Sequence, residues 1–357
     1  MPCPSAFHEL PERQQARTHG AAACLLAARP VRGAAGSNAR RRARGAAALL
    51  LVGLALLGGC ASRFDVQGHR GARGLAPENT LAAFRAALAA GVDTVESDMA
   101  VTRDGVIVMA HDSHLNPQIV RQSDGRWIDP PGVPIRSLTL AQLRTYDVGR
   151  LRPEGEYARQ WPRQQPADGE RIPTLSELIE LVKAQPRRVA LNLETKITPT
   201  SGEDVVAPAE FARRVVDAVR AAGLQSSVTI QSFDWRTLLE VRRLAPEIAT
   251  ACLTIETERS STVRPGPDGA SPWHAGLKAA DHAGSVPRLA AAAGCSTWSM
   301  FWRDLTEPRV REARALGLKV LPWTVNETAD MSRLIGWGVD GLITDYPDRL
   351  IELRRAR

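Results

Sequence analysis

The chain has 357 residues, of which 44% are hydrophobic and 24% are charged, a composition that is ordinary for a globular protein and excludes the disordered and repeat classes. Its formal net charge is +7, but residues 1–59 hold eight arginines and two glutamates and so account for six of these charges. Only +1 remains from residue 60 onward, so the basic balance belongs to the leader and gives no reason to expect a nucleic-acid partner; no protein partner is implied either.

Residues 1–60 have the pattern of a secretory leader. Four arginines between positions 40 and 44 precede an apolar run at 46–57, and two glycines and Cys60 follow it. The run is too short for a membrane span, and this order of segments is typical of a signal peptide. Because a cysteine after small residues resembles a bacterial lipoprotein processing site, we expect export to the periplasm and a membrane anchor through lipidated Cys60. The alternative is an ordinary cleaved signal in which Cys60 has no role.

Residues 61–357 alternate β-rich runs with amphipathic stretches, and we expect them to form a single domain. The predicted strands are at residues 65–68, 94–99, 189–194, 228–232, 248–253, 297–301, 319–324 and 341–344. The predicted helices are at residues 80–90, 175–184, 208–222, 236–244, 308–316, 329–337 and 347–354. Strands that alternate with helices form a parallel sheet, so eight of them predict a closed α/β barrel with its active site at the carboxyl ends of the strands.

The first predicted strand leads into the candidate residues His69 and Arg70. A neutral imidazole transfers protons near pH 7, and a guanidinium binds phosphate through two hydrogen bonds, so we predict a catalytic role for His69 and phosphate binding for Arg70. Glu78 lies at a predicted helix start that Asn79 or Thr80 can cap.

The pair Asp104-Gly105 lies between two β-rich runs and is a strong hairpin signal. A two-residue turn at this pair places Asp98 directly opposite His111, with Glu96 on the same face of the strand. We therefore predict that two carboxylates and an imidazole lie close together, and that His111 is catalytic.

The second strand of this hairpin, at residues 106–111, is additional to the barrel. Residues 112–174 are rich in Pro, Gly, Arg and Trp and show little periodicity, so we expect a small insertion folded over the site. Residues 258–285 form a second irregular stretch. Loops at a barrel mouth commonly select the substrate.

On the strand at residues 189–194 and just beyond it, Glu194 and Lys196 share one face. Glu194 adds a third carboxylate to Glu96 and Asp98, and three oxygen ligands suit one divalent cation, Ca²⁺ or Mg²⁺, better than zinc. Lys196 adds a cation to this face and can pair with Glu194.

Taken together, these segments resemble the glycerophosphodiester phosphodiesterase family, in family order from about residue 65 to 350. The matching segments are His69-Arg70-Gly71, Pro77-Glu78-Asn79-Thr80, Glu96-Ser97-Asp98, Asp104-Gly105, His111-Asp112, Glu194-Thr195-Lys196, Gln231-Ser232-Phe233, Trp323-Thr324-Val325-Asn326 and Thr344-Asp345-Tyr346-Pro347. Thr195 departs from the family, which usually has a larger apolar residue there.

The resemblance implies a TIM-type (β/α)8 barrel that hydrolyses glycerophosphodiesters to an alcohol and sn-glycerol 3-phosphate. It implies Glu96, Asp98 and Glu194 as metal ligands, and His69 and His111 as the acid/base pair. It also implies Lys196 as a phosphate contact that acts as a point charge, and it makes Glu78 a candidate residue of the pocket, because its segment helps to organise the site in the family. The role of each histidine stays open, as does the choice between a cyclic phosphate intermediate and direct attack by water. Cleavage of intact phospholipids, as by phospholipase C or D, and a non-catalytic surface lipoprotein are the alternatives.

Several polar and aromatic residues near late strand ends are candidates to line the substrate pocket. They are Gln231, Phe233, Trp323 and Asn326. Cys252 and Cys295 lie in or beside apolar runs, where an isolated cysteine is usually a small hydrophobic residue, so we expect free thiols, with a disulfide as the alternative.

Overall fold

The structure, a computed structural model, describes residues 64–357, so the predicted leader with Cys60 lies outside the described residues. Within this range there are nine strands: β1 Asp65–Gly68, β2 Thr94–Val101, β3 Ile107–Met109, β4 Ala190–Thr195, β5 Val228–Ser232, β6 Ala249–Thr254, β7 Thr297–Met300, β8 Lys319–Val320 and β9 Gly341–Thr344. All except β3 are parallel neighbours in the order β8-β7-β6-β5-β4-β2-β1-β9. They form the nearly closed eight-stranded barrel that the strand and helix pattern predicts.

Backbone hydrogen bonds between the two end strands complete the ring. Asp340 N donates to Val320 O at 3.0 Å, and Ile343 N donates to Pro322 O at 3.1 Å. The strand predicted at 319–324 is short because Pro322 has no N–H with which to continue the ladder. On its other side β9 pairs directly with β1, with Gly68 opposite Thr344, so the carboxyl ends of these two strands lie side by side.

Most of the helices cover the outside of the barrel, and two short ones lie in the insertion at residues 112–174. In residues 64–357 they are α1 Leu81–Ala90, α2 Leu140–Leu143, α3 Glu156–Gln160, α4 Leu175–Lys183, α5 Pro208–Ala222, α6 Trp235–Leu244, α7 Val286–Ala292, α8 Glu307–Ala315, α9 Thr328–Gly336 and α10 Pro347–Arg355. The predicted helices are all present, and α2, α3 and α7 are additional. Thr80 caps α1, since its hydroxyl accepts a hydrogen bond from Ala83 N at 3.1 Å. No helix among the described residues has the length and apolar character needed to cross a membrane.

The hairpin of β2 and β3 is present, but the predicted register is wrong by one residue. Thr102 N donates to Val106 O, which closes a loop of residues 103–105 with Gly105 in the left-handed region (φ 82°). A three-residue loop that ends in a left-handed glycine is a common alternative to the two-residue turn. As a result Ala110, and not His111, lies opposite Asp98, and Ala110 N donates to Asp98 O at 3.0 Å.

The insertion at residues 112–174 follows the hairpin, as predicted. It has its own small core, in which Leu115, Ile135 and Leu143 are almost completely buried. Its helix α3 contributes Tyr157 to a second cluster with Trp161 and Tyr346. The insertion is thereby packed against the mouth of the barrel.

Cys252 and Cys295 form a disulfide bond, so the expectation of free thiols is wrong. Cys252 lies in β6 and Cys295 lies just before β7, and these two strands are neighbours in the barrel. Their Cα atoms are 5.9 Å apart, which is within the range that a disulfide requires. Apolar surroundings alone did not distinguish a buried disulfide from two buried thiols.

Candidate active site

The three predicted carboxylates converge because neighbouring parallel strands place them in register. Asp98 on β2 lies beside Glu194 on β4, and Glu96 precedes Asp98 by two residues on the same face. Carboxylate oxygens of the three residues lie within 4.8 Å of one another, and all three side chains are buried. A cluster of three buried carboxylates is unstable unless positive charge compensates it.

Hydrogen bonds hold each carboxylate in place. Glu96 accepts from Arg70 N at 2.7 Å and from Gln231 Nε2 at 2.8 Å. Asp98 accepts from Asn79 Nδ2 at 3.0 Å. Lys196 Nζ lies 2.8 Å from Glu194 Oε1 and 3.7 Å from Asp98 Oδ1.

The electrostatics of the cluster favour a cation. Burial and the neighbouring charge of Asp98 raise the pKa of Glu96 well above its usual range, and burial raises the pKa of Glu194 to about 7. Burial alone would also raise the pKa of Asp98, but the electrostatic effects of His111, Lys196 and Arg70 lower it. The cluster therefore has more carboxylates than its own cations neutralise, and its hard oxygen donors fit Mg²⁺ or Ca²⁺.

His69 is held by a buried carboxylate. Its Nδ1 lies 2.7 Å from Asp345 Oδ1, and Asp345 also accepts hydrogen bonds from Arg73 Nε at 2.8 Å and from Asn326 Nδ2 at 2.8 Å. Burial lowers the pKa of His69, although the charge of Asp345 opposes this effect. A neutral ring whose Nδ1 faces a carboxylate leaves Nε2 available to a reacting group.

His111 lies beyond the end of β3, in the loop that enters the insertion. Its Nδ1 lies 2.9 Å from Asp112 Oδ1. Burial, followed by the charges of Arg70 and Lys196, lowers its pKa well below the usual range, against the opposing effect of Asp98. Although the predicted register was wrong, the structure brings His111 to the same cluster of charges.

Arg70 has an unusual backbone and a fixed side chain. Its φ is 49°, in the left-handed region that non-glycine residues rarely adopt. Its NH1 donates to Glu78 Oε1 at 2.6 Å, and its Nε lies 3.3 Å from Asp98 Oδ2. The guanidinium therefore lies beside the carboxylate cluster, and Glu78 helps to hold it there.

The pocket candidates divide into two groups. Phe233 and Trp323 are in edge-to-face contact, with ring centroids 5.4 Å apart, and Lys196 Nζ lies 5.9 Å from the Phe233 ring. The rings of Phe233 and Trp323 therefore form an apolar surface beside the charged cluster. Gln231 and Asn326 instead donate hydrogen bonds to site carboxylates, to Glu96 and Asp345 respectively.

Five residues that contact the predicted site residues were not themselves predicted. They are Arg73, Asn79, Asp112, Tyr157, whose hydroxyl donates to Glu78 Oε2, and Asp345. Asp345 carried a readable signal, because it is a carboxylate directly after the last strand and lies in a segment that matches the family. Tyr157 carried none, since it comes from an insertion without periodicity.

Comparison with known proteins identifies similar molecules. The glycerophosphoryl diester phosphodiesterase family model matches residues 69–349. A glycerophosphodiester phosphodiesterase of Caldanaerobacter subterraneus is 28% identical over 289 residues, which cover 80% of this chain and 96% of the relative. A solved protein from Silicibacter pomeroyi is 36% identical, with a TM-score of 0.73 and coverage of 83% of this chain and 94% of that one. A phosphodiesterase of Oleispira antarctica, solved with the product sn-glycerol-3-phosphate, is 25% identical, with a TM-score of 0.59 and coverage of 82% and 96%.

Proposed function

Because the chain belongs to the glycerophosphoryl diester phosphodiesterase family and is a phosphoric diester hydrolase, we propose that it releases sn-glycerol 3-phosphate from glycerophosphodiesters with one divalent cation and two histidines. The observation that carries this proposal is the arrangement of Glu96, Asp98 and Glu194, whose oxygens lie within 4.8 Å of one another. The product bound to the Oleispira relative supports the choice of substrate.

Glu96, Asp98 and Glu194 would hold the cation. When bound, it would supply Lewis-acid polarisation of the phosphate and would neutralise charge that develops there. The oxygen donors suit Ca²⁺ and Mg²⁺ alike. Arg70 and Lys196 border the same cluster and would bind phosphate oxygens, Arg70 through its planar fork and Lys196 as a point charge.

The two imidazoles would move the protons. Each has its Nδ1 against an aspartate, Asp345 for His69 and Asp112 for His111, so each keeps its Nε2 for a reacting group. One ring takes the proton of the nucleophile, and the other protonates the leaving alkoxide. The same pair serves attack by water and attack by a neighbouring glycerol hydroxyl.

Cleavage of intact phospholipids is the competing function, and the two are separated by a direct comparison of substrates. We expect the protein with Mg²⁺ or Ca²⁺ to release sn-glycerol 3-phosphate from glycerophosphocholine and to leave phosphatidylcholine vesicles intact. Faster turnover of the vesicles would favour the phospholipase function. Turnover of neither substrate would favour a binding protein that has lost activity.

We also propose that the chain is exported and anchored through lipidated Cys60, which lies outside the described residues. The disulfide between Cys252 and Cys295 supports this, because disulfides persist mainly in oxidising compartments such as the periplasm. The wild type should sediment with membranes in high salt, and its mature N-terminus should be an acylated Cys60, whereas Cys60→Ser should not be lipidated. An unmodified mature chain that starts at another residue would contradict the anchor.

A further inference from the structure

Tyr157 joins the insertion to the active site. It lies on the short helix α3, and its side chain is buried at the mouth of the barrel. Its hydroxyl donates to Glu78 Oε2 and accepts a hydrogen bond from Arg73 NH1 at 3.3 Å. One phenol therefore contacts both a carboxylate and a guanidinium of the site.

Each of these two contacts continues, through further hydrogen bonds, to a side chain that the proposed reaction uses. On one side, Glu78 Oε1 accepts from Arg70 NH1 at 2.6 Å, and Arg70 is the proposed phosphate ligand. On the other side, Arg73 Nε donates to Asp345 Oδ1 at 2.8 Å, and the same oxygen lies 2.7 Å from His69 Nδ1. The hydroxyl of Tyr157 thus links the residue that binds phosphate to the residue that moves the proton.

The surroundings keep this phenol in place as a donor. Its ring packs edge to face with Trp161, with centroids 6.1 Å apart, and the Arg73 guanidinium lies 4.2 Å from the centroid of Trp161. Burial and the charge of Glu78 raise the pKa of Tyr157, so the hydroxyl stays protonated. A protonated hydroxyl is required for donation to Glu78.

We propose that Tyr157 is a positioning residue, through which the insertion fixes Arg70 by way of Glu78 and His69 by way of Arg73 and Asp345. This inference rests on the proposed function. Removal of the hydroxyl leaves one oxygen of Glu78 without its donor in a buried place, so the carboxylate and its Arg70 partner lose their fixed geometry. The insertion then helps to position the side chains of the active site, in addition to packing against the mouth of the barrel.

Tyr157→Phe tests the proposal, because it keeps the ring and removes the hydroxyl. We expect kcat on glycerophosphocholine to fall about tenfold and the Kd for sn-glycerol 3-phosphate, measured by calorimetry, to rise by a similar factor. Tyr146→Phe is the matched control, since Tyr146 packs against the insertion's own core, and it should change neither value. Thermal unfolding of both variants reports whether they are folded.

A double-mutant cycle with Glu78→Gln separates positioning from a merely structural role. If Tyr157 acts through Glu78, Tyr157→Phe made in the Glu78→Gln background should raise the Kd for sn-glycerol 3-phosphate less than about twofold. An equal loss in both backgrounds, or a Tyr157→Phe enzyme with wild-type kcat and Kd, overturns the proposal. If Tyr157→Phe does not fold, Glu78→Gln alone must show the weaker phosphate affinity. An inactive wild type would refute the proposed function, whereas the Kd comparison would still decide this inference.

Discussion

Asp345 Oδ1 lies 2.7 Å from His69 Nδ1, although 276 residues separate the two in the chain. Burial alone would raise the pKa of Asp345, but the charge of Arg73 and the hydrogen bond with His69 hold it well below its usual range, so the carboxylate is ionised. An ionised carboxylate accepts the Nδ1 proton of His69 and fixes one tautomer of the ring. Asp345, which follows the last strand β9, thereby fixes the tautomer of His69, which follows the first strand β1.

Asp345→Asn should lower kcat while leaving the fold intact. The amide has similar size, but it no longer selects the Nδ1–H tautomer, so we expect a loss of about 10- to 100-fold. Steady-state kinetics at saturating metal measures the effect. Asp348→Asn, on the same end of the chain, is the control and should retain wild-type kcat. An Asp345→Asn enzyme with normal kcat would show that the contact is only structural.

Local patterns predicted the strands and most of the candidate site residues, but neither the pairing of distant strands nor the register of the hairpin could be read from them. The contact of His69 with Asp345 depends on the direct pairing of β1 with β9, the first and last strands of the chain, which no local pattern encodes. The hairpin register was wrong because Asp104-Gly105 is compatible with loops of two and of three residues. Tyr157 could not be predicted at all, since its place depends on how an irregular insertion folds.

Glu194→Gln should remove metal-dependent activity without unfolding the barrel. The substitution keeps the volume and removes one charged ligand from the cluster, so the affinity for Mg²⁺ or Ca²⁺ should fall. Calorimetric titration with each cation, followed by activity at the same concentrations, measures both effects. Glu203→Gln, at an exposed carboxylate, is the control. Full turnover and unchanged cation affinity in Glu194→Gln would contradict the ligand assignment.

Acid should destabilise the fold through His274. This histidine is buried, its ring stacks on Trp235 at 4.1 Å, and its Nε2 has no hydrogen-bond partner among the described residues. Burial lowers the pKa of His274 to about 4, below the unfolded value of about 6.5, so its contribution is complete above pH 6.5 and is lost as the pH falls toward 4.

The free energy of unfolding should therefore fall by about 2 kcal/mol from this group between pH 7.5 and pH 5. His274→Phe keeps an aromatic ring on Trp235 and cannot be protonated. Its free energy of unfolding should therefore fall by about 2 kcal/mol less than that of the wild type over the same pH interval. Urea unfolding of both proteins at the two pH values tests this. Parallel pH dependences for the two proteins would contradict it.

The double substitution of Cys252 and Cys295 by Ala should destabilise the protein. The disulfide closes a segment with a sequence separation of 43 residues. Loss of this cross-link should lower the free energy of unfolding by about 2–4 kcal/mol, and dithiothreitol should have a similar effect on the wild type. Denaturant titration measures the loss, and mass analysis of unreduced peptides tests the bond itself. Two free thiols in the mature wild type would restore the expectation drawn from the sequence.

The most direct test of the two-histidine, metal-assisted reaction is kcat of His69→Ala and His111→Ala on glycerophosphocholine at saturating cation. Each variant should lose about 10²–10⁴-fold, the usual contribution of a positioned acid or base, while retaining cation affinity. The double variant should lose less than the product of the two single losses, because the rings act as one unit. Near-normal kcat in either single variant would contradict the account and leave that histidine with a structural role.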